Sequence, residues 1–452
     1  MAKQTNRPNV IFFFTDQQRY DMAGVHGCPL DLMPNFDRMA QEGTHLYYSF
    51  TCQPVCGPAR SSLQTGMYAT NTGCYRNGIA LDPELPTLAD CFRSAGYKTG
   101  YIGKWHLAPE GMQAVTEEYQ GGYEYWLGAN ALEFTSDAYA TMMYDKAGNE
   151  VHLPGYRVDA LTDAAIRYID DQKENPFFLF ISYLEPHFQN HRDDYPAPIG
   201  YAEKYLGQWL PPDLAALGGT AHQHTPGYYG MIKRLDEALG RLLDALRSLG
   251  LLDNTIVVFT SDHGNHFKTR NGEYKRSCHD SSIRIPTAIV GPGFYGGGRV
   301  SALTSLLDLP PTILDAAGIV IPDQMEGRSI VPLLHGGNAS WNEEVYVQIS
   351  ESQVGRCVRT KRWKYSVRAE SKNGSEVPGA DEYTEEFLYD LFADPYELNN
   401  LIGFRSHQKV SEVMQQRLAK RMQAAGEKMP VILPAPVVES GQKRVLEAEA
   451  YQ

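Results

Sequence analysis

No apolar run in the chain is long enough to cross a bilayer, so a membrane partner is not expected. A basic surplus is missing as well. Lys and Arg number 41 against 54 Asp and Glu, giving a net charge of −13. Nucleic acid is excluded as a partner on that ground, because phosphate backbones need a cationic surface. Cysteine is sparse. The 7 residues (Cys28, Cys52, Cys56, Cys74, Cys91, Cys278 and Cys357) are odd in number and scattered, which argues against a disulfide framework. No second Cys or His pair completes a zinc site around Cys52 and Cys56. The stretch from Met1 to Pro8 carries no apolar signal segment, so a cytoplasmic location is the expectation. No internal repeat is visible.

What the chain does contain is alternation. Short apolar runs at Asn9–Thr15, Lys98–Ile102, Pro176–Tyr183, Thr255–Ser261 and Pro286–Val290 are separated by amphipathic stretches near Met33–Gln41, Leu85–Ala95, Val158–Gln172 and Tyr228–Leu249. That pattern predicts an α/β fold: a large mixed, mostly parallel sheet sandwiched by helices. From Ala108 to Leu153 the chain is aromatic and irregular, and reads either as a lid or as an inserted hairpin with its own core. The pattern changes near Gly337. Runs at Val345–Ser350, Arg356–Thr360 and Trp363–Val367, then a helix at Gln408–Ala425, predict a smaller C-terminal α+β subdomain. The expected division is 1–340 for a catalytic domain and 341–452 for the subdomain, with 426–452 as an extended tail.

Four of the strands stop at polar clusters: Asp16-Gln17, Lys104-Trp105-His106, Glu185-Pro186-His187 and Asp262-His263. Ligands in open parallel sheets bind at the carboxyl ends of strands, so these residues are expected to share one edge. Two aspartates at equivalent strand ends, with an amide oxygen from Gln17, suit a hard divalent cation. The stretch Cys56-Gly57-Pro58-Ala59-Arg60, followed by Thr65-Gly66, supplies a partner for that edge. Pro58 fits the first turn of a helix. Cys56 then stands at a helix N-terminus, among free N–H groups and one turn from the Arg60 cation, which makes an anion pocket with a thiol at its rim.

This stretch resembles the sulfatase signature, and the likeness extends over nearly the whole chain, to the Leu388-Tyr389-Asp390-Leu391…Asp394-Pro395 ending. The resemblance implies an alkaline-phosphatase-like fold and a formylglycine made from Cys56 by a formylglycine-generating maturation enzyme. It implies a metal, Ca2+ with Mg2+ or another divalent ion as the alternative, held by Asp16, Gln17, Cys56, Asp262 and His263. Many relatives have aspartate and asparagine where Gln17 and His263 stand. The resemblance further implies that Arg60, Lys104 and Lys275 offset the sulfate charge. His106 would act on the formylglycine hydroxyl that does not attack, and His187 or Lys275 would protonate the departing alcohol.

The implied substrate is a sulfated mono- or oligosaccharide. Glu185, Asn190, His191 and Arg192, clustered around His187, would suit a sugar with a carboxylate or further sulfates. Trp126 would stack on a ring, and His279 would contact substrate where the family often has tyrosine. The alternatives are a phosphonate monoester hydrolase or phosphodiesterase of the same superfamily, and a catalytically silent relative that binds sulfated glycans.

Overall fold

A computed structural model describes residues 7–334, 340–439 and 445–452. Ten strands form one sheet: β1 (Asn9–Thr15), β2 (Thr44–Phe50), β3 (Lys98–Lys104), β4 (Tyr125–Ala129), β5 (Thr141–Asp145), β6 (Glu150–Leu153), β7 (Phe177–Ser182), β8 (Thr255–Ser261), β9 (Ala288–Val290) and β10 (Gly298–Ser305). Their order across the sheet is β10-β2-β9-β8-β1-β7-β3-β4-β5-β6. The centre, β8-β1-β7-β3-β4, is parallel throughout. β9 runs antiparallel to both its neighbours, and β5 and β6 extend the far edge as an antiparallel hairpin.

Side-chain alternation divides the central strands between two cores. Ile11, Phe13, Leu179, Ile181, Val257 and Phe259 face the helices Pro34–Glu42, Arg157–Gln172 and Ala221–Ser248. Val10, Phe12, Phe14, Phe178, Phe180 and Val258 face Cys56–Thr65, Leu88–Ser94 and Leu309–Ala316. Every residue of β1 is buried, which is why it reads as a continuous apolar run rather than an alternating one.

A second sheet joins β11 (Glu344–Ile349), β12 (Gly355–Thr360), β13 (Trp363–Arg368) and β14 (Glu382–Asp390) antiparallel, with β15 (Val431–Leu433) added parallel to β14. The helix Gln408–Ala424 covers it. This sheet braces the main one. Gln348 N–H donates to Cys52 O (2.8 Å), Gln53 Nε2 donates to Ser350 Oγ (2.7 Å), and Lys364 pairs with Asp280 (2.5 Å).

Three expectations change. The stretch from Ala108 to Leu153 is neither a lid nor a separate hairpin; it contributes β4, β5 and β6 to the main sheet, and Tyr123 and Trp126 pack on Tyr101 of β3. The long helix starts at Ala221, seven residues before Tyr228, and carries Pro226 inside it. The tail is not simply extended. It supplies β15 and a helical turn at Glu447–Tyr451, and Trp363 Nε1 donates to Glu449 O (2.7 Å). The pattern change at Gly337 lies outside the described residues.

Candidate active site

The helix Cys56–Thr65 begins with the cysteine itself, and all ten of its residues are buried. Val55 precedes it in extended conformation, Pro58 occupies its first turn, and Gly66 ends it in the left-handed region at φ 72°. Asn77 Oδ1 accepts the Gly57 N–H (2.8 Å). The helix therefore aims Cys56 Sγ at the carboxyl ends of the central strands.

Those ends are tied to one another. Asp16 N–H donates to Glu185 O and Asp262 N–H to Thr15 O, both at 3.2 Å. Gln17 N–H donates to Asp262 Oδ1 (2.9 Å), which holds Gln17 at φ 66°. Around Cys56 Sγ lie Lys275 Nζ at 2.8 Å, His263 Nε2 at 3.3 Å and Asp16 Oδ1 at 3.5 Å. Burial pushes the thiol upward, but Lys104, Lys275 and a hydrogen bond with His106 bring it well below the ordinary cysteine range.

Residues Asp16, Cys56, Asp262 and His263 offer ligand atoms that all lie within 4.8 Å of one another. His263 Nδ1 lies 2.9 Å from Gly264 O and donates to it, so the lone pair is on Nε2, facing the cluster. The Gln17 amide donates to Tyr195 Oη (3.2 Å), while Gln17 Oε1 is buried with no partner. Asp262 Oδ2 likewise has no hydrogen bond, only the Arg60 guanidinium at 3.5 Å. Burial, then the Asp16 charge, drive the Asp262 carboxyl up to about 7. Asp16 goes the other way: despite burial and Cys56, the Lys104 and Arg60 charges hold it below the usual carboxylate range. Two packed carboxylates, an orphaned amide oxygen and an imidazole lone pair fit a divalent cation, whose charge would relieve the Asp16–Asp262 repulsion.

The basic residues separate into two kinds. Lys275 lines a cavity of about 490 Å³ that opens onto Cys56, together with His106, His187, Asn190 and Asn77. His187 Nδ1 lies 2.7 Å from Phe188 O and donates to it, so its Nε2 accepts from Lys275 Nζ (3.1 Å). Burial and the Lys275 charge lower the His187 pKa, keeping that ring neutral.

Arg60 and Lys104 sit behind this wall. Arg60 Nη2 donates to Asp16 Oδ2 (2.9 Å), and its Nη1 donates to Lys104 O (2.9 Å) and Ser182 Oγ (2.7 Å). Lys104 Nζ pairs with Asp16 Oδ2 (2.8 Å) and Glu133 Oε1 (3.2 Å). The resemblance implies that both cations offset the sulfate charge; the structure places both on Asp16, and neither lines the cavity.

Several expected substrate contacts are elsewhere. Glu185 is fully buried against Arg157 (2.8 Å). Trp126 is only 2% exposed and stacks on Tyr101 in the core, so no ring can lie on it. His279 is buried, with Nε2 3.0 Å from Tyr389 Oη. Arg192 is paired with Asp137 (2.6 Å) and Asp194 (3.4 Å), and His191 stands 3.9 Å from Asp137; neither lines the cavity. Sequence reasoning missed Glu133, Phe134, Phe188 and Tyr274, which do. Glu133 follows no strand end and matches no motif. Its one signal is its place in the aromatic stretch Ala108–Leu153.

The family model described as "Sulfatase" matches residues 8–319, and that described as "N-sulphoglucosamine sulphohydrolase, C-terminal" matches residues 272–424. The chain is 31% identical to an ulvan-active sulfatase of Formosa agariphila over 94% of its own length and 83% of the relative's. It is 25% identical to an N-acetylglucosamine-6-O-sulfatase of Bacteroides thetaiotaomicron, over 92% and 86% of the two chains. A solved structure of a protein in complex with its substrate D-glucosamine-2-N,6-O-disulfate superposes with a TM-score of 0.77 at 24% identity, covering 94% of this chain and 99% of that one. A phosphonate monoester hydrolase of Agrobacterium radiobacter shares the fold (TM-score 0.67, 23% identity, 92% and 96% covered). The chain belongs to the sulfatase family, and is a sulfuric ester hydrolase built on the alkaline-phosphatase-like fold.

Proposed function

We propose that the enzyme removes sulfate from a carbohydrate sulfate monoester, with Cys56 converted to formylglycine and a divalent cation held by Asp16, Gln17, Asp262 and His263. The observation that carries the reading is the meeting at Cys56 Sγ of Lys275 Nζ, His263 Nε2 and Asp16 Oδ1 within 3.5 Å. The carbohydrate assignment draws on the ulvan-active and N-acetylglucosamine-6-O-sulfatase relatives.

The cation, calcium by the oxygen-rich donor set, would supply charge neutralisation for the sulfate oxygens and lower the pKa of a bound hydroxyl. The hydrated aldehyde at position 56 would supply an oxygen nucleophile and a second hydroxyl for its own regeneration. Conversion of Cys56 makes a formylglycine-generating enzyme a required partner.

The chain's own residues do the rest. Lys275 reaches position 56 and His187 at once, so its ammonium meets both a sulfate oxygen and the leaving-group side. The departing alcohol takes its proton from Lys275, whose Nζ lies 3.1 Å from the His187 Nε2 that Phe188 O fixes as an acceptor. His106, at the cavity wall beside Cys56, takes the proton of the second hydroxyl. Arg60 and Lys104 keep Asp16 ionised for the cation.

The test is sulfate release from sulfated saccharides by purified enzyme, beside phosphate and phosphonate esters of one leaving group. The reading expects faster sulfate ester cleavage and its loss in Cys56→Ala. Full activity in Cys56→Ala, or faster phosphonate cleavage, defeats it.

A further inference from the structure

The wall of the cavity that Lys275 lines holds a feature that sulfate chemistry leaves unused. Glu133 lines the cavity and is 3% exposed. Its Oε1 pairs with Lys104, but its Oε2 has no hydrogen-bond partner. Burial would raise its pKa, yet the Lys104 charge holds it low, so it is an ionised acceptor with one oxygen to spare. A bare carboxylate beside an anion-binding site is unfavourable unless a donor meets it. The next residue, Phe134, also lines the cavity and is 53% exposed.

Both are held by a buried clamp. Gln189 Nε2 donates to Glu133 O (2.7 Å) and Ser136 O (2.9 Å), and Arg157 joins Ser136 Oγ (2.9 Å) to Glu185 (2.8 Å). Phe134 is therefore an exposed ring on a fixed support.

The mouth offers no spare cation among the described residues. Lys268 pairs with Asp193 (2.9 Å), and Arg276 is paired with both Glu273 and Glu351. A second anionic group on a substrate would have to displace one of these carboxylates.

We propose that Glu133 and Phe134 form the sugar-recognition half of the pocket. Glu133 Oε2 accepts a hydrogen bond from a free hydroxyl of the leaving sugar, and Phe134 carries the apolar face of that ring. The paired charges at the mouth select a monosulfated sugar over one bearing a second sulfate or a carboxylate. This rests on the sulfatase reading and deepens it.

The test is calorimetric binding to calcium-loaded Cys56→Ser protein. The probes are a panel of monosulfated hexoses and hexosamines, their disulfated counterparts, and phenyl sulfate, which has no hydroxyl. For the tightest monosulfated sugar, Glu133→Gln should weaken binding by about 10- to 100-fold, the scale of a hydrogen bond to a charged group, and phenyl sulfate by less than about 3-fold. Phe134→Ala, at a half-exposed side chain that the fold does not need, should weaken both by about 3- to 10-fold. Disulfated sugars should bind no tighter than monosulfated ones, and should gain in Asp193→Asn, which frees Lys268. Equal losses for sugar and phenyl sulfate in Glu133→Gln would mean that Glu133 acts only through Lys104, and would overturn the proposal. So would tighter binding of disulfated sugars to the parent protein, or phenyl sulfate binding with no sugar bound. If no sulfate ester binds or is hydrolysed at all, the sulfatase reading fails with it.

Discussion

Arg60 offers the sharpest test of how the site is built. Its guanidinium donates to Asp16, to the Lys104 carbonyl and to Ser182 Oγ, so one side chain ties the ends of β1, β3 and β7. Arg60→Ala removes the cation from a buried pair and leaves Asp16 short of a partner, a change that costs about 3–5 kcal/mol. For a chain of 452 residues, at about 2.1 cal/mol/K per residue, the entropy of unfolding near the midpoint is about 0.95 kcal/mol/K. The melting temperature should therefore fall by roughly 3–5 °C. Arg60→Lys should recover part of that, because an ammonium can reach Asp16 but cannot fork to the carbonyl and hydroxyl as well. The assay is a thermal melt of each variant at one calcium concentration, with KM for a sulfate ester alongside. An unchanged melting temperature with a raised KM would refute the reasoning, and would return Arg60 to a direct contact with the substrate anion.

Further outcomes follow from other parts of the molecule. Calcium at one hundred times its dissociation constant should stabilise the protein by about 2.7 kcal/mol, a rise of roughly 3 °C, and Asp262→Asn should abolish most of that shift in the same melt. His266 is buried, with a pKa lowered to about 3 by burial, so the unfolded chain binds the extra proton below about pH 6.5. Its contribution to stability should therefore fall by about 1.4 kcal/mol per pH unit between pH 6.5 and the folded pKa; urea titrations at pH 7.5 and 5.5 should show a smaller drop for His266→Gln than for the parent. Trp126→Ala should lower the melting temperature with KM for sulfated sugars unchanged, since the ring is core; a raised KM at full stability would contradict its placement.

The parallel centre of the fold is legible because β1, β7 and β8 are buried on both faces and so appear as unbroken apolar runs. β2 and β10 escape detection: Thr44–Phe50 mixes histidine and tyrosines among its buried positions, and Gly298–Ser305 is partly exposed. β4 hides because Tyr125-Trp126-Leu127-Gly128-Ala129 is short and lies among glycines and turns. At the site, strand-end placement brings Asp16, His106, His187 and Asp262 to one edge, since that follows from topology alone. Which way a cation points does not follow from topology. Arg60 and Lys104 turn inward because Asp16 is buried and needs them, and Lys275 reaches Cys56 from a loop after β8. Glu133 was invisible because its chemistry depends on a partner, Lys104, that only the folded sheet brings within 3.2 Å.

The central claim is that position 56, once oxidised, is the reacting centre of a cation-assisted sulfate ester cleavage. Its most direct measurement pairs mass spectrometry of the Cys56 peptide with sulfate release, over preparations that differ in their extent of conversion. The account predicts turnover per mole of protein that rises in proportion to the aldehyde fraction and vanishes where only cysteine is found. Full turnover from protein whose Cys56 is entirely unmodified would contradict it.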